Sequence, residues 1–110
     1  MNYRIVATPD FDRELKKIVK KHKGIKADLA KLINLLKTEP TMGDDLGGNL
    51  YKIRLSIANT NKGKSGGARV ITFVVFVEEV VYLADIYLKS DVDTVDVKVI
   101  NQHLKNDGLR

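Results

Sequence analysis

The chain has 110 residues, 44% of them hydrophobic and 30% charged. That is the size and make-up of one folded domain, residues 1–110, and it excludes a two-domain protein, a disordered tail and a fibrous repeat. With no cysteine and two histidines, His22 and His103, the chain has no disulfide scaffold, no thiolate zinc site and no cysteine nucleophile, and a transition-metal site is not expected. Nineteen Lys and Arg against fourteen Asp and Glu leave a net charge of +5, which favours polyanionic partners. The few residues before Thr8-Pro9-Asp10 are too short for a signal h-region, and no apolar run approaches the roughly 18 residues of a membrane span. A soluble, cytoplasmic protein without membrane contact is expected.

Residues 2–7 alternate and carry Tyr3, Ile5 and Val6, which predicts a short first strand stopped by Pro9. Thr8-Pro9 reads as a helix start: a hydroxyl cap, then proline where its missing N–H costs nothing. Phe11, Leu15, Ile18 and Val19 then mark one apolar stripe. Gly24 is expected as a left-handed C-terminal cap, after which Ile25, Leu29, Leu32, Ile33 and Leu36 repeat the stripe until Glu39-Pro40. The two helices form an αα-hairpin whose polar faces hold nine of the nineteen cations, for most such runs a solvated face.

Thr41 to Asn49 reads as a turn-rich connection. From Leu50 the period becomes two, with Tyr51, Ile53, Leu55 and Ile57 on one side and Lys52, Arg54 and Ser56 on the other. Asn59 to Gly67 (NTNKGKSGG) is a loop, Ala68 to Val77 a central strand interrupted by Arg69 and Thr72, and Glu78-Glu79 a turn. Val80 to Leu88 is a further strand, and Ser90, Asp91 and Asp93 are candidate caps for a last helix through Val95, Val99, Ile100 and Leu104. The fold class is α+β in the order β-α-α-β-β-β-α.

Cations are unevenly placed. Between Leu46 and Val77 there are five (Lys52, Arg54, Lys62, Lys64, Arg69) and no acid, whereas the last twenty residues hold Asp91, Asp93, Asp96 and Asp107. Hairpin pairing is expected to form a row of Arg54, Arg69 and Lys89 with Lys52 and Tyr87 just behind it. A turn pairing Val77 with Val81 sets Arg69 opposite Lys89 and Tyr87 beside Ile71; a loop over about residues 58–65 sets Arg54 beside Arg69. Like charges on one sheet face need an anion, and a phosphate chain fits: arginines grip it bidentately, while Lys62, Lys64 and Ser65 of the glycine-rich loop add cations, a hydroxyl and backbone N–H groups. The GKS triplet lacks the first P-loop glycine and precedes a strand, so nucleotide binding is not inferred. His103 sits among Val99, Ile100 and Leu104 and is expected to be a packed or boundary residue; His22 ends a helix as a favourable cation. Tyr3, Tyr51 and Tyr82 default to packing. Asp85 either orients Arg69 or Tyr87 or is an ordinary strand-end acid.

The order of elements, with Asn49-Leu50-Tyr51-Lys52-Ile53-Arg54 leading through Gly63–Ile71 (GKSGGARVI) to Ile86-Tyr87-Leu88-Lys89, resembles the RelE/HigB toxins of bacterial type II toxin-antitoxin modules over about residues 2–107. The resemblance implies a RelE-like domain, an antiparallel sheet with an N-terminal αα-hairpin and a C-terminal helix. It also implies ribosome-dependent cutting of mRNA in the A site, a cognate antitoxin, DNA contact only through the antitoxin complex, and no metal or cofactor. Carried over, Lys52, Arg54, Arg69 and Lys89 match the family's basic positions. Ser90 and Asp96 stand where the best-known pattern has an arginine and a tyrosine; Tyr87 with Lys89 is closer to the HigB-type branch and makes Tyr87 the local substitute. Arg54 and Arg69 are thereby assigned to phosphate oxygens and Lys52 or Tyr87 to proton transfer around an attacking 2'-hydroxyl. The other readings are a ParE-like gyrase-inhibiting toxin and a non-catalytic RNA-binding domain.

Overall fold

The computed structural model describes residues 2–57, 67–91 and 95–110. Nine elements run in the order β1 (Arg4–Ala7), α1 (Pro9–Lys21), α2 (Ile25–Leu36), β2 (Asp44–Gly47), β3 (Leu50–Leu55), β4 (Ala68–Val75), a 3-10 turn (Phe76–Glu78), β5 (Val80–Leu88) and α3 (Val97–Asn106). The five strands form one sheet in the order β1-β5-β4-β3-β2.

The helix starts follow their local chemistry. Thr8 caps α1, its Oγ1 accepting the Phe11 N–H at 3.3 Å and donating to the Leu83 carbonyl at 2.9 Å, so one buried hydroxyl ties the helix to the sheet. Gly24 is not a left-handed cap: at φ −68° it is the N-cap of α2, and His22 closes α1. The final helix begins later than Ser90 or Asp91. Its cap is Asp96, whose Oδ1 accepts the Lys98 N–H at 2.9 Å.

Two further expectations are corrected. The sheet is mixed, because β1 lies parallel to β5, Arg4 beside Val80 through Ala7 beside Leu83, while the other pairs are antiparallel. The helical hairpin and three strands separate β1 from β5, so no tight turn imposes an antiparallel direction. The connection before Leu50 contains the strand β2, whose Asp-Asp-Leu-Gly sequence has little β-propensity. It exists because it satisfies the edge of β3, and its charges and shortness suit an edge strand.

Alternation along the strands sends side chains into two cores. Ile53, Leu55, Val70, Val74, Leu83 and Ile86 pack under α1 and α2 with Phe11, Ile18, Ile25, Leu29 and Leu36. Leu50, Ile71, Phe73, Ala84 and Tyr87 pack under α3 with Ile100 and Leu104. Arg110 fastens the far end of α3, its Nη1 donating to the Gly48 carbonyl at 2.7 Å with the guanidinium 4.8 Å from the centre of the Phe73 ring. β4 and β5 are thus covered on both faces, as central strands of a sheet between two layers are. Among the described residues no helix is long and apolar enough to cross a membrane.

Candidate functional site

Strand register assembles the site. Arg54 pairs with Arg69 across β3 and β4, as expected from the sequence, and Arg69 pairs with Tyr87 across β4 and β5. Lys89 is therefore not opposite Arg69; it lies one step further along, its N–H donating to the Gly67 carbonyl at 3.0 Å. The turn between β4 and β5 begins earlier than a Val77–Val81 pairing requires and is one residue longer, because the 3-10 turn Phe76–Glu78 and Glu79 in the left-handed region (φ 54°) reverse the chain after Val75, which faces Val80.

The register set by Val75 facing Val80 would by itself place Ile86 opposite Arg69 and send Tyr87 to the wrong face. The ladder slips between Ile71 and Thr72: Thr72 faces Leu83 but Ile71 faces Asp85, leaving Ala84 as the extra residue of a β-bulge. Before it, Leu83 enters the helical-hairpin core and Ala84 the α3 core; after it, Ile86 returns to the hairpin core and Tyr87 to the α3 side. The bulge puts Asp85 and Tyr87 on the face of Arg69.

Two cross-strand rows result. The first is Arg54–Arg69–Tyr87; the second, one repeat further in, is Asp44–Lys52–Ile71–Asp85. With strands about 4.8 Å apart and same-face neighbours about 6.7 Å apart along a strand, three columns of the two rows span roughly 10 Å by 7 Å, the scale of one phosphodiester with its flanking riboses. Asp44 beside Lys52 is a carboxylate the sequence reading did not place, since β2 was not expected.

Burial grades across the first row. Arg54 is exposed and Lys52 half-buried, whereas Arg69 is 5% and Tyr87 8% exposed. The Arg69 Nη1 donates to the Ala68 carbonyl at 3.1 Å, and no carboxylate among the described residues forms an ion pair with it. A guanidinium this buried beside a second cation is held in a state that an anion would stabilise. Burial pushes the Tyr87 phenol above its ordinary value; Arg69 draws it down and Asp85 pushes it up. Burial likewise raises Asp85, opposed by the hydrogen bond its Oδ1 accepts from the Ile86 N–H at 2.9 Å; Glu14 and Asp10 raise it further and His103 lowers it.

Gly67 is the positioning residue that reading by composition passed over as a loop glycine. A Cβ there would strike the Leu55 carbonyl oxygen and backbone, so only glycine lets β4 begin against the end of β3 and bring Arg69 beside Arg54. The doubled glycine just before Ala68-Arg69 was the available signal. His103 is not packed. It is 47% exposed on its side chain and pairs through Nδ1 with Asp10 Oδ2 at 3.0 Å, because the N-terminus of α1 comes alongside α3 past the end of β1. Asp96 is a helix cap. Lys62, Lys64 and Ser65 lie outside the described residues, as does Asp93. Among the described residues no group of three His, Cys, Asp or Glu side chains is arranged to hold a metal ion.

Comparison with known proteins agrees with this architecture. The family model for the RelE toxin of the RelE/RelB toxin-antitoxin system matches residues 4–106. Among solved structures, the chain is similar to a free-state E. coli RelE toxin carrying two arginine-to-alanine substitutions: TM-score 0.59, 18% identity, 84% of this chain and 90% of that one covered. No curated protein matches. With its helical hairpin, bulged sheet and basic cross-strand row, and a family match over nearly its whole length, the chain belongs to the RelE family of toxin-antitoxin toxins.

Proposed function

We propose that the protein is a ribosome-dependent mRNA endoribonuclease, the translation-inhibiting toxin of a type II module, with a cognate antitoxin, the ribosome and mRNA as its partners. The observation that carries this reading is the row Arg54–Arg69–Tyr87 with Lys52 beside it: two guanidinium groups, one almost wholly buried and without a carboxylate partner among the described residues, next to a phenol and an ammonium.

In cleavage by the 2'-hydroxyl, the 2'-O–P bond forms as the P–O5' bond breaks, its electron pair leaving on the 5'-oxygen. The site must therefore stabilise charge on the phosphoryl oxygens, take the 2'-proton and give one to the 5'-oxygen. Arg69 and Arg54 serve the phosphoryl oxygens, because a guanidinium stays protonated and offers forked donors. Lys52, a cation at the side of the row, donates to the leaving oxygen, and Tyr87 faces the 2'-hydroxyl. Orientation of the RNA by an external platform supplies the effective concentration that an open sheet face lacks.

The test is inducible expression of wild type and Arg69→Ala, with growth followed and primer extension run on a translated reporter mRNA. Growth arrest with translation-dependent cuts, and a loss of cleavage of about 10²–10³ in the variant, is the expected result. Arrest without cuts would transfer the target to a protein such as gyrase, and absence of arrest would favour a purely binding role.

A further inference from the structure

A proton acceptor is missing from the row itself. The guanidinium groups hold their protons, and a phenol that remains protonated accepts the 2'-proton only if it passes its own onward. The second row supplies the receiver. Asp85 stands two residues from Tyr87 on the same face, put there by the bulge at Ala84, and both line one cavity of about 230 Å³ between α1, β5 and α3.

We propose that Asp85 is the proton-accepting partner of Tyr87: the 2'-hydroxyl gives its proton to the Tyr87 oxygen as the Tyr87 proton moves to the Asp85 carboxylate. This rests on the ribonuclease reading. The 2'-O–H bond breaks as the 2'-O–P bond forms, one proton ends on Asp85, and the 5'-oxygen takes its proton from Lys52, so that proton transfer from Asp85 to Lys52 restores the starting state. Asp85 acts through Tyr87 and is a positioning residue in that sense.

The surroundings favour an acceptor. From α1, Asp10 and Glu14 face Asp85 and make its carboxylate more basic; from α3, His103 opposes them, and Asp96 borders the same cavity. Arg13 lies at the adjoining cavity with Asp10, Glu14 and His103. On the far side of Tyr87, Lys17, Lys21 and Asp91 line a neighbouring cavity, and Arg69 of β4 pulls on the phenol. A carboxyl raised by burial and like charges is a better base near neutral pH than an ordinary aspartate. Its Oδ1 already accepts the Ile86 N–H, which holds the carboxylate in place.

The test uses three full-length variants, Asp85→Asn, Asp85→Glu and Tyr87→Phe, in single-turnover cleavage of mRNA on programmed ribosomes across pH, with ribosome binding measured in parallel. Asp85→Asn keeps an oxygen for the Ile86 N–H and removes the base. It should lose about 10²–10⁴ in rate at unchanged binding, and lose the acidic limb of the pH profile. Asp85→Glu should retain that limb, and the Asn and Phe changes together should cost little more than either alone. In the isolated protein, ultraviolet titration of Tyr87, identified by difference against Tyr87→Phe, should move to lower pH in Asp85→Asn. Cleavage by Asp85→Asn with the wild-type pH profile, additive losses in the double variant, or an unmoved Tyr87 titration would each overturn the pairing. A wild type that does not cut on ribosomes would instead overturn the ribonuclease reading beneath it.

Discussion

Replacing Arg69 by methionine distinguishes a guanidinium kept for a ligand from one kept for the fold. Arg69 is 5% exposed, its neighbour across β3 and β4 is Arg54, and among the described residues its side chain hydrogen-bonds to the Ala68 carbonyl and to no carboxylate. Two unit charges roughly 6 Å apart at an effective dielectric of about 20 repel by about 3 kcal/mol, and solvent around the exposed Arg54 reduces this to about 1 kcal/mol. Burial of an unpaired charge costs several kcal/mol more, part of which is relieved when an unbranched apolar chain fills the same channel. Against this stands about 1 kcal/mol for the lost hydrogen bond. Arg69→Met should therefore be more stable than wild type by about 1–3 kcal/mol, a rise in Tm of roughly 4–13 °C for a chain of this size. Urea unfolding and thermal melts followed by circular dichroism read this directly. Cleavage should fall by about 10²–10³ in the same variant, and inorganic phosphate or sulfate should raise the Tm of wild type but not of Arg69→Met. A methionine variant less stable than wild type by 1 kcal/mol or more would refute the reasoning, because it would show that the guanidinium is satisfied within the fold.

Other outcomes follow from single contacts. Gly67→Ala forces a methyl against the Leu55 carbonyl; it should cost about 1–3 kcal/mol in urea unfolding and also abolish cleavage, because the shift lies at the Arg54–Arg69 pair. Thr8→Ala removes the cap of α1 together with the bonds to Leu83 and Ala84, and should lower stability by about 1–2 kcal/mol without changing activity per folded molecule. Asp85 is raised in the fold above its ordinary 3.8, so its contribution to stability is present below that pH and is lost as pH rises through the raised value. Asp85→Asn should then gain on wild type in chemical unfolding between acid and neutral pH, and a difference that stays constant over that range would refute the assignment.

Much of this molecule is readable along the chain because the signals are local. The Thr8-Pro9 start, the apolar stripes of both hairpin helices and the two-residue period of Leu50–Leu55 each depend on a few adjacent residues, and all appear in the structure. The pairing of Arg54 with Arg69 was within reach for the same reason, since a loop joining consecutive strands limits their register. β2 was not legible, because Asp44 to Gly47 are paired by the need of β3 for an edge partner and not by their own propensity. The resemblance set Asp96 at about the place of the family's tyrosine, and the local geometry there makes it a helix cap.

The sequence by itself determined the kinds of groups and their strands: two arginines and a lysine on two consecutive strands in a basic segment free of acids, and a tyrosine on the strand that follows. Tertiary structure decided which of them meet. The bulge at Ala84 turns Tyr87 and Asp85 towards Arg69, the early turn through Glu79 together with that bulge sets Lys89 beside Gly67, and the approach of α1 past the short β1 places Asp10 and Glu14 beside Asp85. A one-residue slip in a strand reverses every side chain after it. That slip arises where the whole ladder reconciles a turn at one end with packing at the other, a balance that no short stretch of sequence contains.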